Sequence, residues 1–163
     1  MSFDYSLDFE NADFRENPHL YKVGRGEQGV LSVEPYKSEI LPHWRFRTEE
    51  IARESAAKIY SMFLEYKEQN DFVGMDMARK FLQMGYTRAR RYANHRSGKK
   101  HDKSGNIRPQ EPDALNNEKA RAARAFYEKY ELAREDEHYK RRKKEWGDQE
   151  QASAPGPSFG TVT

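Results

Sequence analysis

The chain contains no cysteine, which excludes disulfides, zinc–thiolate centres and cysteine nucleophiles together. No apolar run approaches the roughly 18 residues needed to span a bilayer, and the acidic N-terminus lacks the basic and apolar regions of a secretion signal. A soluble intracellular protein without membrane contact is expected: cytoplasmic, or nuclear if the host has a nucleus. Aliphatic residues are scarce as well. Leu, Ile, Val and Phe together number 26 of 163 residues, a share that by itself leans toward disorder. Two features oppose that reading. The formal net charge is only +2 and there are 21 aromatic residues, each of which removes about 150–250 Å² from water when buried. A thin, aromatic core in a single domain is the expectation. Histidine is sparse and scattered, at positions 19, 43, 95, 101 and 138, with no HExxH or HxH spacing. Neither a metal nor a cofactor is therefore expected.

What is present is organised by charge. The thirty residues from Arg79 to Arg108 hold ten Lys or Arg and one acid, Asp102, for a local charge of +9. Residues 1–36 carry −4. Such concentration is a local electrostatic field and points to a polyanion as partner. Tyr86 and Tyr92 lie among the arginines, so stacking surfaces stand beside charge. The competing structural reading is that the basic window pairs internally with the acids of residues 1–36.

The chain reads as a mostly helical α+β domain over residues 1–146, followed by a disordered Pro/Gly/Ser/Ala-rich tail over 147–163. Leu20 to Val23 and Val30 to Val33 are strand candidates joined by a glycine turn, which makes a small N-terminal β-hairpin. An irregular aromatic segment from Pro35 to Phe46 follows, and both pack on three or four helices. The first helix runs from Glu49 to Glu68 with Thr48 as N-cap. The second runs from Phe72 to Met84 and ends at Gly85. Thr87 caps a short third helix, Arg88 to Asn94; Arg96 to Pro112 is a mobile loop; and a long helix spans Glu118 to Trp146.

Within the basic window, Arg88 and Arg91 are three apart and share a helical face, so they can hold one phosphate together, whereas Arg90 points elsewhere. Arg79, Lys80, Arg96, Lys99 and Lys100 extend the same face. His95 sits at its edge, where a bound phosphate would favour its charged form; otherwise it is a surface histidine. Trp44, alternating with Arg45, Phe46 and Arg47, is read as a core anchor or as a stacking platform for an unpaired base. Binding of nucleic acid or a related polyphosphate is the preferred function.

Gly24-Arg25-Gly26-Glu27-Gln28-Gly29 matches GxGxxG letter for letter, but a strand ended by Pro35 follows it where a dinucleotide site needs a helix. It is read as a hairpin turn, with a backbone cradle for phosphate as the alternative. The enzymatic rival gathers this turn, Arg88 and Arg91 around a phosphorylated substrate or phosphodiester, with His95 or Asp76 moving a proton. An Asp76–Arg79 surface ion pair is the bland reading of that carboxylate. A third alternative is a protein interaction module presenting the last helix and the aromatic N-terminal segment.

The runs PYKSEILPHWRF and DFVGMDMARKFLQMGYTRARRYANH resemble the family catalogued as domain of unknown function 4385, over roughly Phe3 to Tyr139. The resemblance implies a compact single-domain protein found in cellular and viral genomes, and it carries no activity across.

Overall fold

The structure is a computed structural model and describes residues 3–153. Among the described residues five helices follow one another: α1 (Tyr36–Ile40), α2 (Glu49–Glu68), α3 (Phe72–Asn94), α4 (Glu118–Arg134) and α5 (Glu137–Ser153). Short 3-10 turns at Pro18–Leu20 and Leu41–His43 punctuate the N-terminal third. Among the described residues there is no strand, and a lone antiparallel bridge joins His101 to Ile107. The fold is helical, and the α+β expectation with its β-hairpin is overturned.

The reason lies in the backbone between Gly24 and Ser32. Gln28 donates its amide to Arg25, Val30 to Glu27 and Ser32 to Gly29, at 3.0, 3.1 and 3.0 Å. Donors that a hairpin would pair across two strands are spent on consecutive turns. Gly26 and Gly29 adopt positive φ (+53° and +81°), which sustains this tight path. Val23, Val30 and Val33 are buried nonetheless. Their hydrophobicity reports contact with the helices, not membership of a sheet.

α2, α3 and α4 form the central layer. Thr48 caps α2 through its hydroxyl, which accepts from the Ile51 amide at 3.1 Å, and Asp71 caps α3 in the same way, accepting from Gly74 at 3.0 Å. Ile59, Phe63, Phe72, Met75, Phe81 and Phe126 fill the space between the helices. α4 turns a row of small residues inward, Ala120, Ala122, Ala123 and Ala125, so its backbone approaches closely. α3 is continuous from Phe72 to Asn94, so the expected stop at Gly85 and restart at Thr87 do not occur. Gly85 is a packing position. A Cβ there would lie 2.4 Å from Phe126 Cδ1. Thr87 makes no cap; its hydroxyl donates to Glu27 at 2.8 Å.

The expected single helix from Glu118 to Trp146 is broken at Glu135 and Asp136. Asp136 is the cause. Its carboxylate accepts from the Tyr139 amide at 3.0 Å, starting α5, and meets Lys67 of α2 at 2.7 Å. The break turns α5 back onto the core: Tyr139 is buried, and the Trp146 indole donates to the Tyr21 carbonyl at 2.8 Å. α5 then runs through Gly147 to Ser153, into the segment expected to be tail; residues 154–163 of that expectation lie outside the described residues. The N-terminal third wraps this face through ring contacts linking Phe3, Phe9, Phe14 and Tyr21.

Candidate functional site

The basic window divides in two. Its first members, Arg79 and Lys80, face the interior on the second and third turns of α3, and so leave the expected exposed face. Arg79, 5 % exposed, donates from Nη2 to Asp76 Oδ1 at 2.6 Å, from Nη1 to the Gly26 carbonyl and Gln83, and from Nε to the Tyr139 hydroxyl. Lys80 is fully buried; its Nζ donates to the Gln28 carbonyl at 2.5 Å, stands 3.7 Å from Asp76 Oδ2 and lies over the rings of Tyr21 and Phe3. The Asp76–Arg79 pair, read from sequence as a surface contact, is thus the centre of a buried network. Tyr21 and Tyr139 both donate their hydroxyls to Asp76.

The electrostatics follow from that burial. Desolvation alone would raise the Asp76 carboxyl pKa, but the Arg79 guanidinium, Lys80 and the two tyrosine hydroxyls outweigh it and hold the group well below the usual carboxylate range. Burial, reinforced by the Asp76 charge, pushes both Tyr21 and Tyr139 far above ordinary phenols. Lys80 moves the other way. Burial lowers its ammonium to about 8, only partly offset by Asp76.

The later members of the window are arranged differently. Arg88 and Arg91 are exposed on the last turns of α3, and Arg96, Lys99 and Lys100 are exposed on the loop that follows. Among the described residues none of these five forms an ion pair. Arg90 turns away, donating to the Ala114 carbonyl and the Asn94 side chain. Among the described residues no acid of residues 1–36 forms an ion pair with this group; the one beside it, Glu27, accepts from the Thr87 hydroxyl at 2.8 Å. Tyr92 is 38 % exposed, its ring tilted at 42° against that of Phe46 and lying under the Lys119 ammonium. With Arg96 it lines a shallow cavity of about 200 Å³ that also contains Glu111, Asp113 and Lys119.

His95 and Trp44 are not part of an open surface. His95 ends α3, is 7 % exposed, and its Nδ1 is buried without a partner among the described residues. Trp44 donates its indole N–H to the Phe81 carbonyl at 3.0 Å and packs against Phe46 and Phe81. It is the core anchor of the two readings, not a free stacking platform.

The glycine turn meets a different set of residues. A cavity of about 350 Å³ is lined by Gly24, Arg25 and Gly26 together with Arg79 and Gln83 of α3, Tyr130 and Arg134 of α4, and Tyr139 and Lys143 of α5. Arg88, Arg91 and His95 are absent from its wall. The clamp expected from the turn with those three residues is therefore not assembled as one site. A single straight helix from Glu118 to Trp146 does not bring Arg134 and Lys143 to the glycine turn; only the Asp136 cap, an Asp followed by Glu137 before a new periodic run, marks the break that brings Lys143 round. Among the described residues, no three His, Asp or Glu side chains gather in a way that would hold a metal, and no helix is long and apolar enough to cross a membrane.

No curated protein and no solved structure matches the chain. The model of the domain of unknown function DUF4385 matches residues 4–149, from the aromatic N-terminal wrap through most of α5. That span takes in every element that builds the buried Asp76 network and the exposed cationic stretch, and the chain accordingly belongs to the DUF4385 family.

Proposed function

We propose that the protein binds nucleic acid or a closely related polyphosphate through Arg88, Arg91, Tyr92, Arg96, Lys99 and Lys100. The observation that supports this reading is that, among the described residues, none of the five cations of that set makes an ion pair, although Arg96 shares its cavity with Glu111, Asp113 and Glu118. Folding has taken Arg79 and Lys80 into the interior but has left these five exposed and, among the described residues, without an ion pair. A surface that keeps such charge in solvent gains little in stability from it and presents a field to a polyanion. Arg88 and Arg91, one turn apart, suit one phosphate with paired N–H donors; Lys99 and Lys100 reach neighbours as mobile point charges. Tyr92 offers a ring on which an unpaired base can stack.

The test is binding of end-labelled single-stranded and duplex oligonucleotides by fluorescence anisotropy across a salt series. Five neutralised phosphates give a slope of about −4.5 in log K against log salt on duplex DNA. Undetectable or salt-independent binding overturns the reading.

A further inference from the structure

The cavity at the glycine turn has a composition that the polyanion face does not explain. Its wall contains four cations, Arg25, Arg79, Arg134 and Lys143, and no Asp or Glu. Two of the four are compensated from behind: Arg79 by Asp76 at 2.6 Å, and Arg134 by Glu131 at 2.7 Å. Arg25 and Lys143 are exposed, and among the described residues neither side chain has an ion pair or a hydrogen bond, so two positive charges at the cavity are left without a counter-charge. Donors are left as well. Arg79 has five N–H groups, and the bonds to Asp76, Gly26, Gln83 and Tyr139 use four. The Gly24 and Gly26 amides make no hydrogen bond within the described residues.

We infer that this cavity binds a small phosphorylated molecule, its phosphate held by Arg25, Lys143 and Arg79 against the Gly24–Gly26 turn and its remainder lying along Tyr130. The charge match decides for phosphate over carboxylate: a phosphomonoester carries about −1.5 to −2 at neutral pH and so offsets both free cations, where a carboxylate offsets one. Guanidinium groups and a glycine-rich stretch of backbone on one cavity wall are the donor types that suit its three terminal oxygens. The volume is within the range of small-molecule sites, and the Tyr130 ring supplies an apolar side. Arg79 is fixed on three sides by Gly26, Tyr139 and Asp76, so its position is set before any ligand arrives. That is the purpose the inference gives to the buried network: a rigid guanidinium at the cavity floor.

This site is separate from the polyanion face, since Arg88 and Arg91 follow Arg79 by about 14 and 18 Å along the α3 axis at a rise of about 1.5 Å per residue. The test uses the full-length protein and inorganic pyrophosphate, followed by backbone amide NMR. Saturable shifts are expected at Gly24, Gly26 and Arg79. Arg25→Ala with Lys143→Ala, both at exposed positions, is expected to weaken pyrophosphate binding by about tenfold or more with an unchanged melting temperature, and Arg25→Lys with Lys143→Arg to retain it. Arg88→Ala with Arg91→Ala is expected to leave pyrophosphate binding intact while weakening oligonucleotide binding, so the two sites succeed or fail independently. Shifts confined to residues 88–100, equal affinity for acetate, no saturable shift, or full affinity in the Arg25→Ala/Lys143→Ala variant overturns the inference.

Discussion

Asp76 and Arg79, one turn apart on α3, form a 2.6 Å ion pair with less than a tenth of either side chain exposed. A surface pair of that spacing would contribute little. Buried, it is obligatory: each charge has lost its hydration and depends on the other, and Lys80 shares the same carboxylate. Through Tyr21 and Tyr139 the pair also ties the N-terminal wrap and α5 to α3. The α3 turn that looks from sequence like the start of a binding surface is the polar centre of the fold.

Asp76→Asn keeps the shape and most acceptors but removes the negative charge, leaving Arg79 and Lys80 as neighbouring buried cations. A loss of about 3–5 kcal/mol in unfolding free energy is expected, measured by urea denaturation. A midpoint close to that of the parent protein contradicts the network as described.

Lys80 makes stability depend on alkaline pH. Its folded ammonium releases its proton at about 8, against an ordinary value of 10.5 that the unfolded chain retains. Between those values the unfolded state binds more protons, so stability rises with pH; below about 8 both states are protonated and the contribution is flat. Tyr21 and Tyr139 act in the opposite sense above their ordinary value of 10.0, because the folded state keeps phenolic protons that the unfolded state has lost. The urea midpoint is therefore expected to climb from about pH 8 and turn over near pH 10. Lys80→Met abolishes the climb, and a flat parental profile over that window contradicts the assignment.

Much of the helical layer was legible because its signals are local. Thr48 and Asp71 precede their helices as side-chain caps, and the apolar spacing from Ala52 to Tyr66 is that of α2. Where the fold departs from its sequence signals, the cause is a partner those signals do not name, a distant ring in one case and the turn's own backbone in another. Gly85 looks like a terminator until Phe126 is placed against it; the valines around the glycine turn look like strands until the turn's own hydrogen bonds are counted. The candidate site was legible in part. Charge density pointed to the window as a whole; the one local sign that separates Arg79 and Lys80 from Arg88 and Arg91 is Asp76 three and four residues before the first two, and that spacing does not tell a surface pair from a buried one.

Gly85→Ala tests the packing reading against helix propensity. In an exposed helix this change gains about 1 kcal/mol, whereas forcing a methyl into a tight contact costs about 1–3 kcal/mol. With Phe126 at 2.4 Å from the added Cβ, a lower melting temperature is expected. Phe126→Leu in the same chain is expected to make the glycine change less costly, so the double variant is more stable than the two single losses sum to. A stabilised Gly85→Ala variant contradicts the close approach.

The separation of the basic window into an interior pair and a free surface set is tested most directly by the salt slope of duplex binding in the parent and in Arg88→Ala/Arg91→Ala. Removing two phosphate contacts is expected to make the slope shallower by about 1.8, from about −4.5 to about −2.7, with the urea midpoint unchanged. Equal slopes in the two proteins, or a variant that binds as before but unfolds earlier, contradict the account.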